Sequence, residues 1–403
     1  MNSLHKKIDE VRGRIGYLLY TRIFTPFKAW QIRHKKQIKV LFVVSEVGVW
    51  KTENLYLDML KHPRFIPIIH VVKSMENDRA NDEVKAYMSS HNYSYINVEE
   101  NDVLQKDGKA DIIFYQKPYI WTVPDNQKFT KNKNALFAFA NYAFHNAYSQ
   151  FLTNQPFHNY AWQLYYENAS SAGENARIMD NKGRNIKVTG LPMSDLLLCP
   201  PSSDPWKKSS LPKKRIIWAP HHTIPQFGRA LAYSTFMDYA EGMLQIAKKY
   251  SDKVQFAFKP HPLLQPKLRK IWGEERTDKY YEEWATMENT QLELGAYSDL
   301  FKTSDALIHD CGSFTIEYHY TKKPVMYLES DGHDSTPLVN YAQEAYDLHY
   351  KAHSIEDIEN FIQMVIEEED PLKEKRMQFF EENLLPPNGK TACENIIDAI
   401  LNS

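Results

Sequence analysis

Apolar residues gather in short runs separated by longer stretches with helical spacing, and the alternation begins at Lys39. KVLFVVSEV at 39–47 has strand length, residues 52–61 repeat apolar positions on one helical face, and FIPIIHVV follows from Phe65. The rhythm returns at DIIFYQ from Asp111 and LFAFAN from Leu136, then closes at IKVTGLP from Ile186. Strands this uniformly apolar are buried on both faces, which predicts a parallel sheet covered by helices. A proline-rich stretch from Cys199 to Lys214 interrupts the pattern. It restarts with RIIWAP at Arg215, a helix near 238–250, VQFAFKPHP at Val254, a helix over 296–303, and strands at Ala306 and Pro324. Helical segments over 355–368, 373–383 and 391–401 finish the chain. The reading is α/β: two Rossmann-like domains facing a cleft, over 39–205 and 206–375, with terminal helices over 376–403 free to cross back to the first domain.

Charge changes the picture only at the N-terminus. Residues 1–39 hold ten lysines and arginines against Asp9 and Glu10, whereas the whole chain carries a formal −2. Leu4, Ile8, Val11, Ile15, Leu18, Leu19 and Ile23 recur at helical spacing among these cations, with Tyr17, Tyr20, Phe24, Phe27 and Trp30 nearby. Residues 1–38 therefore read as a basic amphipathic helix lying on an anionic membrane surface. The plainer alternative is a helix packed on its own domain or on a second subunit. No run approaches the roughly 20 apolar residues that span a bilayer, and no signal-peptide core precedes the first strand. Together with three scattered cysteines, this suggests a cytoplasmic protein, peripheral on the inner face of the cell membrane. The near-neutral balance gives no reason to expect a nucleic-acid partner.

Polar residues follow three strands of the second half: Ala219-Pro220-His221-His222-Thr223, Lys259-Pro260-His261-Pro262, and His309-Asp310-Cys311-Gly312-Ser313. In a doubly wound sheet such ends line the ligand crevice. Gly312 permits close backbone approach, Ser313 adds a hydroxyl beside unpaired helix N–H groups, and Glu317 lies one turn further, within reach of a ribose. The bland reading of this block is an ordinary βαβ crossover with a serine cap. His221, His222, His261, His309 and Asp310 are also conceivable zinc ligands, but neighbouring residues on an extended strand end point to opposite sides. No metal site and no cofactor is expected.

In order, WAPHHT, FKPHP, SDALIHDCGS with Glu317, KKPV and the tail LPPNGKTACENI resemble the CDP-glycerol glycerophosphotransferase family, the teichoic-acid primase and polymerase group. The likeness covers 215–400 well, and the first half only in outline through VTGLPMSD at Val188. It implies a GT-B architecture in which the second domain holds a CDP-linked donor and the first presents the acceptor. Carried over, His261 contacts the donor phosphates together with His221, His222 and Lys259, Ser313 and the Gly312 amide cradle the pyrophosphate, Glu317 holds the ribose, and Asp310 positions the turn. The implied reaction moves glycerol phosphate, or a related polyol phosphate, to a lipid-linked or polysaccharide acceptor at the membrane and releases CMP.

The chain also departs from that family. After Ala219-Pro220 the family continues T-W-R, whereas this sequence has His221-His222-Thr223; Arg229 is the candidate substitute for the missing arginine. The family's W-H-G-T motif, which carries its base, is absent. By position its stand-in is His145 in FAFANYAFHNA, or the QKPY segment at Gln116. Two other functions fit the same fold: a nucleotide-sugar glycosyltransferase of capsule or lipopolysaccharide synthesis, and a scaffold that has lost catalysis.

Overall fold

The computed structural model describes residues 13–105, 109–147, 149–224, 234–330 and 338–403. Two compact units result: one runs to Leu196 and includes Leu385–Ser403, and the other is Leu197–Leu384. The first holds a seven-stranded sheet of β1 (Ile38–Val44), β2 (Phe65–Val71), β3 (Tyr95–Asn97), β4 (Ile112–Tyr115), β5 (Leu136–Ala140), β6 (Gln163–Tyr166) and β7 (Ile186–Val188). All neighbours are parallel, in the order β3-β2-β1-β4-β5-β6-β7. The second holds β8 (Lys214–Ala219), β9 (Val254–Phe258), β10 (Thr290–Leu292), β11 (Ala306–His309), β12 (Val325–Leu328) and β13 (Tyr350–Ala352), in the order β10-β9-β8-β11-β12-β13 and again parallel. In each sheet the strand order reverses beside the first strand, between β1 and β4 and between β8 and β11. Carboxyl ends that diverge in this way open a crevice.

The central strands β4, β5, β6, β9, β11 and β12 are buried along their whole length. In the second unit Trp218, the penultimate residue of β8, is wholly buried, with Phe258, Trp284 and Phe236 at ring-centroid distances of 5.0, 5.4 and 5.7 Å. Truncating an aromatic anchor of this kind costs about 3–5 kcal/mol. It fixes the strand end from which His221 and His222 project.

Residues 13–34 are helical, with a widened turn at Tyr20–Phe24. Pro26 has no N–H to give the carbonyl four residues back, and the widened turn absorbs that loss. The inner face docks on the first sheet. Tyr20 donates its hydroxyl to Ala135 O at 2.8 Å, and Lys28 and Lys35 reach the buried Asp111 carboxylate at 3.0 and 2.6 Å. Burial alone would raise the Asp111 carboxyl, but Lys35, the Lys39 amide and Lys28 outweigh it and hold the group below its usual range. Of the two readings of this helix, packing on its own domain is thus seen directly. The other face leaves Ile15, Leu18, Leu19, Ile23, Phe27 and Trp30 exposed. Leu4, Ile8 and Val11 lie outside the described residues, among which no helix is long and apolar enough to cross a membrane.

The C-terminal helix Ala392–Leu401 belongs to the first unit. Its N-terminal amides at Ala392 and Cys393 donate to Asp195 at 2.7 and 2.9 Å, and Gln163 Nε2 donates to Ala399 O. Gly190 sits at φ +80°, where an added Cβ would meet Ala392 and Pro386 at 2.8 and 3.0 Å. Only glycine fits this crossing without strain. The proline-rich stretch after Leu198 is tied to the second unit, where Asp299 accepts hydrogen bonds from both Ser202 and Ser203.

Candidate active site

At the β8/β11 switch point the buried Asp310 acts as a hub. Its carboxylate accepts from the His221 amide at 2.5 Å, and from the amide and hydroxyl of Thr235 at 2.7 and 2.9 Å. It thereby joins the turn after β11 to the turn after β8 and to the start of the Phe236–Lys249 helix. Burial pushes its pKa up to about 6, against the opposing pull of these bonds.

His221, His222 and His261 come together here. Their ring centroids lie 4.2–4.8 Å apart, and one nitrogen from each falls within 4.8 Å of the others. This corrects the expectation that His221 and His222 point apart. β8 ends at Ala219, so both histidines occupy a turn where strand alternation no longer applies. The ring protons decide what the cluster can bind. The Leu263 amide donates to His261 Nδ1 at 3.1 Å, and Lys267 Nζ donates to His222 Nδ1 at 2.8 Å. A nitrogen that accepts carries no proton, so the neutral rings of His222 and His261 bear their protons on Nε2 and offer donors there. Burial lowers all three histidines, with further contributions from neighbouring rings and Lys267; His261 falls to about 4. A metal bound at Nε2 of His222 and His261 would need protons on their Nδ1 atoms, where Lys267 and Leu263 already donate. These two rings therefore suit phosphate oxygens better than a cation.

Lys259, the residue after β9, donates to Gly295 O at 2.8 Å and lies 5.8 Å over the Tyr297 ring. Tyr297 donates its hydroxyl to Glu317 Oε2 at 2.6 Å. Glu317 is buried at the end of the short Phe314–Glu317 helix, which starts after Ser313. Ser313 Oγ stands 3.4 Å from Cys311 Sγ, and both Gly312 and Ser313 are half-buried. The structure thus gathers His221, His222, His261, Lys259, Asp310, Gly312, Ser313 and Glu317 on the carboxyl side of one sheet. Arg229 lies outside the described residues. His309 turns away: its Nε2 is 3.1 Å from His349 Nε2, in a buried group with His319. His349, which the sequence leaves unclustered, belongs to that packing network.

In the first unit His145 lies in the loop after β5. Its Nδ1 is 2.9 Å from Glu167 Oε2 and its amide donates to Glu167 Oε1 at 3.0 Å, while the ring stacks on Tyr166 at 4.3 Å. A carboxylate only accepts, so Nδ1 carries the proton and Nε2 keeps its lone pair, 3.3 Å from Asn141 Nδ2. A histidine oriented in this way has the free ring nitrogen that general-base chemistry needs. Gln116, the alternative stand-in, is committed to backbone: it accepts from the Ser45 and Glu46 amides and donates to Glu46 O. Sequence reasoning missed Glu167, Lys267, Thr235 and Tyr297. Lys267 was the most accessible of these, six residues after His261 on the next helix.

Comparison with known proteins identifies the family and the fold. The family model for CDP-glycerol:poly(glycerophosphate) glycerophosphotransferase matches residues 145–402. Its match begins at His145 and takes in every described donor-side residue. The wall teichoic acid polymerase TagF is similar in structure at 17% identity with a TM-score of 0.57, covering 100% of this chain and 97% of that one. The Staphylococcus aureus MnaA–UDP structure is similar at 14% identity and a TM-score of 0.59, covering 90% and 96%. UDP-GlcNAc 2-epimerase from Neisseria meningitidis, bound to UDP-GlcNAc, gives 15% and 0.55, covering 91% and 100%. No curated protein matches the sequence. At these identities the structures establish the fold, which is GT-B.

Proposed function

Because the chain belongs to the CDP-glycerol:poly(glycerophosphate) glycerophosphotransferase family, we propose that it transfers glycerol phosphate from CDP-glycerol to a membrane-associated glycan or lipid-linked acceptor in teichoic-acid synthesis. One TagF structure was soaked with CDPG, in keeping with a cytidine donor here. The Nε2–H groups of His222 and His261, with the Lys267 ammonium, would hold the diphosphate, and Glu317 would receive the ribose. An acceptor hydroxyl attacks the phosphorus that bears glycerol: a new O–P bond forms, the bond to CMP breaks, and the hydroxyl proton passes to His145 Nε2. The N–H donors that hold the diphosphate offset charge that builds on the departing CMP. The observation that carries the reading is the His145–Glu167 pair, since it supplies the base that the sequence motif lacks.

Attachment to an anionic membrane surface belongs to the same proposal. Its support is the exposed stripe Ile15, Leu19, Ile23, Phe27 and Trp30 beside exposed Arg14, Arg22 and Arg33, the pairing of apolar and cationic groups that holds a helix at an interface. This would place the enzyme on the inner face of the cell membrane, where cytosolic donor and lipid-linked acceptor meet. The test is incubation with CDP-glycerol and lipid-linked acceptors, following CMP and acceptor mass. Stoichiometric gain of glycerol phosphate supports the reading. Glycosidic products from a UDP-sugar without CMP release overturn it.

A further inference from the structure

Three aromatic rings stand together at the carboxyl end of the first sheet. Tyr119 and Trp121 follow β4, and Phe151 lies in the short helix Gln150–Thr153 after the His145 loop. Their centroids are 5.0, 5.8 and 6.1 Å apart and their planes lie within 25° of parallel. Separations this similar describe a triangle of rings and not a column, so the faces form a stepped platform. Trp121 is 42% exposed and Phe151 60% exposed. Large apolar rings left in water side by side mark a binding surface more often than isolated ones do.

Two further observations say what covers the platform. It lies on the side of the proposed base: Tyr142 stands close enough to Tyr119 to help hold its hydroxyl pKa up, after burial, the Tyr142 amide donates to Asn141 Oδ1, and Asn141 Nδ2 lies 3.3 Å from His145 Nε2. Its rim is polar and carries an excess of negative charge. Lys117 Nζ contacts Glu46 and Glu76 at 2.8 and 2.6 Å, Ser74 donates to Glu46 Oε1 at 2.8 Å, and the Met75 amide donates to Thr122 O. One cation between two carboxylates leaves this rim net negative, which disfavours phosphate chains and anionic lipid. Apolar faces beside carboxylates that accept hydrogen bonds suit an uncharged ligand with a C–H face and hydroxyl edges.

We propose that Tyr119, Trp121 and Phe151 form a stacking subsite for a pyranose ring of the acceptor, next to the hydroxyl that His145 activates. This rests on the acceptor-side reading above and adds the chemical class of the acceptor: a neutral sugar, not a glycerol phosphate chain.

The test is saturation-transfer NMR of the full chain, without donor, against neutral disaccharides of hexose and N-acetylhexosamine. Glycerol phosphate oligomers and phosphatidylglycerol vesicles serve as separate probes, with vesicle contact at Trp121 read as the fluorescence difference between wild type and Trp121→Ala. The expected result is transfer to the C–H protons of at least one disaccharide. In Trp121→Ala and Phe151→Ala, each shown to melt like wild type, affinity should weaken by about tenfold. No contact with any disaccharide, or contact equal in both variants, overturns the proposal. So does engagement of Trp121 by the oligomers or vesicles alone. Because donor is absent, failure of CDP-glycerol to bind in other assays bears on the donor reading and leaves this result standing.

Discussion

His145 and Glu167 form a hydrogen-bonded pair, Nδ1 to Oε2 at 2.9 Å, with the histidine ring lying flat on Tyr166 at an interplanar angle of 7°. The carboxylate fixes the tautomer and the tyrosine fixes the plane, so the lone pair of Nε2 is held in one direction. Loss of a positioned base typically costs 10²–10⁴ in rate. His145→Ala should therefore lower kcat by about 10²–10⁴ while leaving the KM for donor near its wild-type value. Glu167→Gln should lower kcat by less. Steady-state kinetics check both, and wild-type turnover in His145→Ala would remove His145 from the mechanism.

The donor side makes a different prediction, because His261 is assigned there as an N–H donor and not as a base. A glutamine amide reproduces a donor near Nε2, whereas alanine does not. His261→Ala should weaken CDP-glycerol binding by about tenfold or more, the worth of a hydrogen bond to a charged group. His261→Gln should recover most of that loss. Equilibrium dialysis with labelled donor measures both, and equal losses in the two variants would count against the tautomer assignment.

Asp310 links the site to stability through pH. Its folded-state pKa, raised to about 6 from 3.8 chiefly by burial, means that the native state holds this proton more tightly than the unfolded chain. The group's contribution therefore declines as pH rises from about 4 to about 6 and is level above that. Asp310→Asn turns an amide NH₂ toward the donors of His221 or Thr235, at a cost of about 1–3 kcal/mol. The stability difference between wild type and variant should shrink across that window and then hold constant. Urea melts between pH 4.5 and 8 measure it, and a difference that does not vary with pH would contradict the assignment.

Much of this was legible in the sequence, and the parts that were not have physical reasons. Long apolar strands such as Ile38–Val44 and Val254–Phe258 announce themselves. The edge strands Tyr95–Asn97 and Tyr350–Ala352, and Thr290–Leu292, are three residues each and too short to show a period. Gln163–Tyr166 escaped because QLYY has no β-branched residue, and with that strand went Glu167, which follows its last residue. The donor-side residues were visible because strand ends are marked by proline and glycine. The conformation of the turn that Pro220 begins was not visible, and so the convergence of His221 and His222 was read as divergence. Hydrogen-bond direction, which separates donor from base among the histidines, is a property of geometry alone.

The exposed N-terminal stripe predicts a salt-sensitive surface activity. Replacing Ile23, Phe27 and Trp30 by serine should release the protein from phosphatidylglycerol liposomes in a flotation assay, with little change in melting temperature because these side chains are already exposed. High salt should weaken wild-type binding, since it screens the contribution of exposed arginines. Undiminished flotation of the triple variant would rule out this face as the membrane contact.

The most direct test of the central claim is a calorimetric titration of the purified protein with CDP-glycerol beside UDP-N-acetylglucosamine. The account predicts saturable heat with the cytidine ligand, with weaker affinity in His261→Ala, and none with the uridine ligand. Saturable binding of UDP-N-acetylglucosamine with no response to CDP-glycerol would contradict it, turning the same fold into a sugar-nucleotide enzyme.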